Sequence, residues 1–299
     1  MRTIATLLLV LGVSVGTAVA AERAQAPADH PARPLVVFMS DFGTVDDAVA
    51  ICKGVMLSLA PQAQIIDLTH DVKPYSIADG ARLLARTALY YPAGTVFVGV
   101  VDPGVGTARR GIVVRTRRGQ FFVLPDNGLV TSVVDRDGVE GAREIANADW
   151  LLAGSSSSTF HGRDVFSPVA AHLARGEDWT QVGPVIGEPR RIELPKATVD
   201  ALGVTGAVLA LDGPYGNLVT NVSADTFRSL GYVLGDRVRF TLAGVDDSAP
   251  FVKTFGDVPP GQPLLYIDSR GMLSLALNQG NFAAARGVTP PSELRILRK

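Results

Sequence analysis

Val100-Val101-Asp102-Pro103-Gly104-Val105-Gly106-Thr107-Ala108-Arg109 is the stretch on which the fold turns. It continues an unbroken apolar run, Val96 to Val101, of the kind that fills a strand buried on both faces of a parallel sheet. An acid, Asp102, then stands at the carboxyl end of that strand, where open α/β sheets place their ligands. Two glycines allow a tight turn or a close approach of backbone to a ligand. Arg109 follows the acid closely enough to pair with it inside a folded loop. The spacing Gly104-x-Gly106-x-x-Arg109 echoes a dinucleotide fingerprint. The third glycine is missing, however, and Gly111-Ile112-Val113-Val114 reads as a strand where that fingerprint needs a helix, so the nucleotide-fold reading is rejected. Two readings stay open for the stretch alone: a ligand loop, or a structural hairpin in which Asp102 caps a turn and Arg109 is solvated.

Working outward, Leu35 to Met39 reads as the first strand, with Ser40-Asp41-Phe42-Gly43 at its carboxyl end. A helix is expected from Thr44, where Thr44 and Asp47 resemble a capping box with Asp in place of Glu and Asp46 favours the positive helix end. Val49, Cys52, Val55, Met56 and Leu59 form its buried stripe, and Pro61 ends it. Asp46 and Asp47 therefore read first as caps. Asp41 differs, because it sits at a strand tip where a ligand hydroxyl can be met. Ile65 to Leu68 is the second strand and Ile77 to Tyr91 the second helix. Tyr75, behind Pro74, is either a loop hydrophobe or a stacking wall for a ring. Beyond the opening stretch come strands near Ile112–Arg115 and Gln120–Leu124, then Pro125-Asp126-Asn127-Gly128 at a strand end and a short helix from Leu129 to Val134. Thr159-Phe160-His161-Gly162-Arg163-Asp164 precedes an apolar helix, Phe166 to Ala174. His161 is one of four histidines, and its Gly, Arg and Asp neighbours can orient the ring.

The βαβαβ pattern predicts an N-terminal α/β domain, about residues 35–186, with a largely parallel sheet and flanking helices. Gly183 to Pro195, with three prolines, ends it. Residues 192–299 read as a smaller β-rich, barrel-like domain. Its signals are the alternating run Val204–Leu211, the turn Asp212-Gly213-Pro214-Tyr215-Gly216-Asn217, strands Val238–Leu242, Pro263–Ile267 and Met272–Leu277, and the hairpin turn Asp268-Ser269-Arg270-Gly271. No long-period repeat is visible.

Composition excludes several classes. The 299 residues are 47% hydrophobic and 19% charged, with formal net charge -1, and no basic run exceeds Arg117-Arg118 or Arg190-Arg191. Nucleic acid is therefore not an expected partner. The single cysteine, Cys52, excludes an internal disulfide framework and a Cys-based zinc cluster. No tight Asp/His ligand spacing appears, so no metal is expected. Residues 1–20 read as a secretory signal: Arg2, the apolar core Ile4–Val15, and Ala18-Val19-Ala20 before the cut. The core is too short to span a bilayer, and no membrane partner is expected. Residues 21–34, rich in Ala and Pro, read as a disordered leader. The mature chain is expected to be periplasmic or secreted.

Five motifs, in one order over about residues 35–290, carry a resemblance. Ser40-Asp41-Phe42-Gly43-x-x-Asp46-Asp47, Val101-Asp102-Pro103-Gly104-Val105-Gly106-Thr107, Pro125-Asp126-Asn127-Gly128, Thr159-Phe160-His161-Gly162-Arg163-Asp164 and Asp212-x-x-Tyr215-Gly216-Asn217 are similar to the S-adenosylmethionine hydroxide adenosyltransferases, hydrolases related to the fluorinase and chlorinase. The resemblance implies cleavage of S-adenosyl-L-methionine by water at C5′ into adenosine and L-methionine, with no cofactor. It implies a catalytic trio of Asp102, Arg109 and His161. Asp41 would take the ribose hydroxyls, Tyr75 would lie beside the sugar, and Asn217 would read adenine. Asp46, Asp212, Ser269 and Arg270 would surround the methionine end, and Tyr215 also belongs to the substrate site. It implies a homotrimer whose sites lie between one subunit's first domain and its neighbour's second. The halogenating relatives carry Tyr where Asp102 stands and Ser where Gly162 stands, so this chain sides with the water-using branch. Two other classes remain as alternatives: a periplasmic binding protein for an adenosine compound, and a metal-dependent nucleoside or phosphoester hydrolase using Asp41, Asp46, Asp47 and His161.

Overall fold

The apolar runs at Leu35, Val96 and Phe121 become adjacent parallel strands because each must be covered on both faces. In a computed structural model, which describes residues 33–154 and 157–299, β1 (Leu35–Ser40) lies between β2 (Gln64–Thr69) and β3 (Val96–Val100), both parallel to it. β5 (Phe121–Pro125) continues the parallel set beside β3. β4 (Gly111–Thr116) and β6 (Val139–Glu144) complete the sheet antiparallel, in the order β2-β1-β3-β5-β4-β6.

Strand periodicity sorts the side chains between two cores. Val36, Phe38, Val96 and Val98 face α1 (Ala48–Leu59) and α4 (Ser167–Ala174). Val37, Met39 and Phe97 face α2 (Ile77–Ala88) and α3 (Thr131–Asp137). Phe38 and Phe97 are fully buried, each contributing about 1.5–3 kcal/mol of hydrophobic stabilisation. The result is the expected three-layer α/β arrangement.

The helix starts differ from expectation most at α1; α3 starts at Thr131 rather than Leu129, and α4 one residue later than expected. α1 begins at Ala48, not Thr44, and Asp47 at its N-cap makes no side-chain cap bond. The Asp46 carboxylate takes that role, accepting from Ala48 N–H at 3.1 Å. Residues 44–47 form bends, because Gly43 leaves β1 in the left-handed region and directs the chain away before helical geometry is reached. α2 ends at Ala88, three residues before Tyr91.

Residues 198–297 build the second sheet: β7 (Thr198–Val199), β8 (Gly203–Asp212), β9 (Asn217–Ser223), β10 (Arg237–Leu242), β11 (Val245–Pro250), β12 (Pro263–Ile267), β13 (Met272–Leu277) and β14 (Ser292–Leu297). Its order is β11-β10-β14-β8-β9-β13-β12, all pairs antiparallel, with β7 beside β8. A bridge from Phe251 to Leu265 links the two ends, giving a nearly closed barrel. Leu218, Phe240, Leu265, Leu273 and Leu294 fill it, with Phe227 of α5 (Ala224–Arg228) and Phe282 of α6 (Phe282–Arg286). Residues 34–299 form one compact unit. The connection between the sheets is bonded to the first half: Arg190 N–H donates to Asp126 at 2.7 Å and Ile192 N–H to Thr131 Oγ1 at 3.0 Å.

The expected signal sequence (1–20), and the expected leader up to residue 32, lie outside the described residues. Among the described residues, no helix is long and apolar enough to cross a membrane.

Candidate active site

The loop from Asp102 to Arg110 is two consecutive turns. Val105 N–H donates to Asp102 O, and Thr107 N–H and Oγ1 both donate to Gly104 O. Gly106 is required here: its φ is +77°, and a Cβ would lie 2.7 Å from Ser158 O. These turns fold Arg109 back over Asp102. Arg109 Nε donates to Asp102 Oδ1 at 2.9 Å and Nη2 to Oδ2, with both side chains under 10% exposed. Arg109 Nη2 also meets His161 Nδ1 at 2.6 Å, and the guanidinium rests on the Phe166 ring. The trio inferred from two separate stretches is thus one hydrogen-bonded chain.

The geometry fixes the imidazole. A guanidinium offers donors only, so His161 Nδ1 accepts and the proton sits on Nε2. Burial and the adjacent Arg109 charge hold His161 below the ordinary imidazole range, against the pull of Asp102 and Asp164. The ring is therefore neutral at neutral pH, with Nε2–H as a donor. It enters at the start of a single wide helical turn, Gly162–Phe166, that leads into α4. At Gly162 a Cβ would meet the Phe42 ring at 3.0 Å and Cys52 Sγ at 3.4 Å, so the backbone passes close against these side chains. Burial pushes the Cys52 thiol up to about 11, which keeps it an unreactive packing group.

A cavity of about 100 Å³ brings Asp41, Tyr75, Asp102 and His161 together with Phe42, Val105, Thr159, Phe160 and Gly162. Asp41 Oδ2 accepts from Tyr75 N–H at 2.9 Å, tying the tip of β1 to the loop before α2. Tyr75 takes a positive φ of 66°, and its ring is exposed. Asp41 is thus placed for ligand hydroxyls, with an aromatic face beside it.

A second cavity, about 580 Å³, is lined by Tyr215 and Asn217 with Pro214, Phe255 and residues 277–281. Asn217 is buried at the start of β9 and pairs with Asp212 across the turn. Gly216 packs onto Asn281 so tightly that a Cβ would overlap its amide. The two cavities share no lining residue. Asp212 and Arg270 form a third cluster. Arg270 Nη1 and Nη2 donate to the two Asp212 oxygens at 2.8 and 2.6 Å, and Nε donates to Asp268. Burial alone would lower Arg270, but hydrogen bonds to Asp212 and Asp268 outweigh it and hold the guanidinium above its ordinary range. With three of its five N–H groups committed, Arg270 braces Asp212. Ser269 is exposed on the adjoining turn. Asp46 lines neither cavity, being engaged at the start of α1.

Reading the residues missed Phe42, Val105, Phe160, Phe255 and Asn281 as cavity walls. Phe42 and Phe160 lay inside quoted motifs. Phe255 and Asn281 sit in stretches without any pattern. Among the described residues, no three His, Cys, Asp or Glu side chains gather where a metal ion could be held.

Comparison with known proteins identifies the family. Residues 36–183 match the family model of the SAM hydroxide adenosyltransferase N-terminal domain, and residues 206–295 that of its C-terminal domain. An (R)-S-adenosyl-L-methionine hydrolase of Salinispora arenicola is 41% identical over 266 residues, covering 88% of this chain and 97% of the relative. A fluorinase of Actinopolyspora mzabensis is 33% identical, covering 90% and 99%. The solved structure of an uncharacterized conserved protein from Thermotoga maritima superposes with a TM-score of 0.84 at 38% identity, covering 88% of this chain and all of the other. Both halves of the chain are therefore accounted for, and it belongs to the SAM hydroxide adenosyltransferase family.

Proposed function

We propose that this chain hydrolyses S-adenosyl-L-methionine, forming adenosine and L-methionine. The observation that carries the reading is the Asp102–Arg109–His161 chain on the wall of the cavity that also holds Asp41 and Tyr75. The oxygen of water attacks C5′, the C5′–S bond breaks, and its electron pair returns to sulfur. Methionine leaves as a neutral thioether, so no acid is needed for the leaving group, and water is the weak partner. Asp102 accepts a water proton while Arg109 fixes the carboxylate, and His161 Nε2–H donates to orient the oxygen. The sulfonium charge vanishes as attack proceeds, so a poorly hydrated site favours the transition state over the charged ground state. Asp102 places a carboxylate beside the nucleophile, which repels a halide. The epimer taken is (R) at sulfur, by likeness to the Salinispora arenicola relative.

The reading includes assembly and export. A cavity of about 100 Å³ is smaller than the ~300–1,000 Å³ of ordinary small-molecule sites. Tyr215 and Asn217 line a separate cavity of the same chain. A homotrimer in which the second domain (about 192–299) closes over a neighbour's first domain (about 35–186) supplies the missing wall. Asn217 then reads adenine, and Asp212 with Ser269 takes the methionine end. The N-terminal signal supports a periplasmic or secreted location, tested by sequencing the N-terminus of the exported protein. The activity is tested by incubating the purified protein with each sulfur epimer, with and without chelator, and quantifying adenosine and methionine. Equal amounts of both products, unchanged by chelator, are expected. Retention of ligand without turnover, or cleavage lost to chelator, contradicts the reading.

A further inference from the structure

Pro125-Asp126-Asn127-Gly128 lies at the end of β5, and neither Asp126 nor Asn127 lines the cavity that holds Asp102. Both side chains nevertheless grip the loop that carries Asp102 and Arg109, one at each end. At its entry, Asn127 Nδ2 donates to Val101 O at 2.8 Å, the peptide just before Asp102. Asn127 Oδ1 accepts from Leu129 N–H at 3.1 Å, which fixes which way the amide faces. At its exit, the buried Asp126 carboxylate accepts from Arg110 Nε at 3.1 Å and from Nη2, and Asp126 N–H donates to Arg110 O at 2.9 Å. The other Asp126 oxygen is held by Arg190 N–H. Asp102 and Arg109 each stand one residue inside a clamped point, and between them, among the described residues, the main-chain hydrogen bonds are those of the loop's own turns.

We propose that Asp126 and Asn127 are positioning residues that set the Asp102–Arg109 geometry, an inference that rests on the assignment of that pair to the reaction. The local turn needs only the acceptor oxygen of Asn127; the amide nitrogen reaches across to the end of β3. A displacement of about 1 Å in a reacting group can cost about a hundredfold in rate, and a glycine-containing loop released at one end moves that far readily.

Asn127→Asp keeps the acceptor for Leu129 and loses the donor to Val101. Arg110→Ala opens the exit clamp from its partly exposed side, and Arg110→Lys returns a cation to Asp126. For each, kcat, KM for S-adenosyl-L-methionine and the pH profile of kcat are measured per folded protein. Asn127→Asp is expected to lower kcat about 10- to 100-fold with KM within about twofold, and to displace the acid limb, because Arg109 moves relative to His161. Arg110→Ala is expected to lose about three- to tenfold, largely recovered by Arg110→Lys. Wild-type kcat and pH profile in both Asn127→Asp and Arg110→Ala, whatever their unfolding midpoints, overturn the proposal. If Asn127→Asp does not fold, the Arg110 pair decides alone. Asp102→Asn is assayed in parallel. Full activity there overturns the assignment of the trio itself, whereas an inactive Asp102→Asn beside wild-type-like Asn127→Asp and Arg110→Ala overturns only the positioning role.

Discussion

At the scale of the residue, the site rests on one guanidinium serving a carboxylate and an imidazole together. Asp102→Asn and His161→Ala are expected to lose about two to four powers of ten in turnover and to keep adenosine affinity within a few-fold, measured by steady-state rates and calorimetry. The pH dependence follows from His161. Its folded-state value lies below the ordinary imidazole one, so the ring takes a proton, on the atom that accepts from Arg109, only at acid pH. The acid limb of kcat is therefore expected below about pH 6.5. The unfolded chain binds that proton at higher pH than the folded one. Stability therefore falls as pH drops from about 6.5 through the folded-state value, and His161→Gln should flatten that part of the slope. Asp41, Asp102 and His161, read from strand ends and from a histidine with polar neighbours, do line one cavity, whereas Asn217 was reached only through motif likeness, because Asn and Asp are ordinary turn residues. Phe42, Phe160 and Phe255 were not, since an apolar residue looks the same in a sequence whether it walls a cavity or fills a core. Asp46, which motif likeness gives to the substrate, is exposed and meets Ala48 N–H through one carboxylate oxygen, an arrangement compatible with that role.

At the scale of the element, strand tips hold the site, and what braces the tips matters. Ser40 Oγ and His70 Nδ1 lie 2.8 Å apart in the interior, and His70 Nε2 meets Asp67, itself paired with Lys53. Ser40 is fully buried, so this is a brace beneath Asp41 and not a nucleophile. His70→Ala leaves the hydroxyl only the long bond from Phe42 N–H and is expected to cost about 1–3 kcal/mol in urea unfolding. Gly106→Ala forces a side chain onto Ser158 O at positive φ, and is expected to cost about 1–3 kcal/mol and to lower kcat by loosening the Asp102 loop. The parallel strands were legible from continuous apolar runs, and β8 from the alternation of Val204–Leu211. Other elements were hidden for physical reasons. β9 reads Asn-Leu-Val-Thr-Asn-Val-Ser, without clean alternation, and is defined by β8 and β13 on either side. α5 and α6 are too short to display a helical period. The start of α1 was misread because Thr44 and Asp47 imitate a capping box that the turn at Gly43 forestalls.

At the scale of the whole molecule, the proposed trimer would join the two separate cavities, one from each of two subunits, into one site. If neighbouring subunits share each pocket, Asp102→Asn and Asn217→Ala proteins, each inactive alone, should regain a fraction of activity when mixed under subunit exchange, because some pockets then receive both intact halves. No recovery despite exchange shown by mass spectrometry contradicts the shared pocket. Dilution should also reduce specific activity more steeply than in proportion to assembled protein lost at one site. The central claim is the chemistry: water attacks C5′ and methionine leaves with its sulfur. Turnover of S-adenosyl-L-methionine in oxygen-18 water, followed by mass spectrometry of both products, tests it most directly. The account predicts one heavy oxygen in the 5′ hydroxyl of adenosine and none in methionine. Unlabelled adenosine, or a label carried by any product other than adenosine, would contradict it.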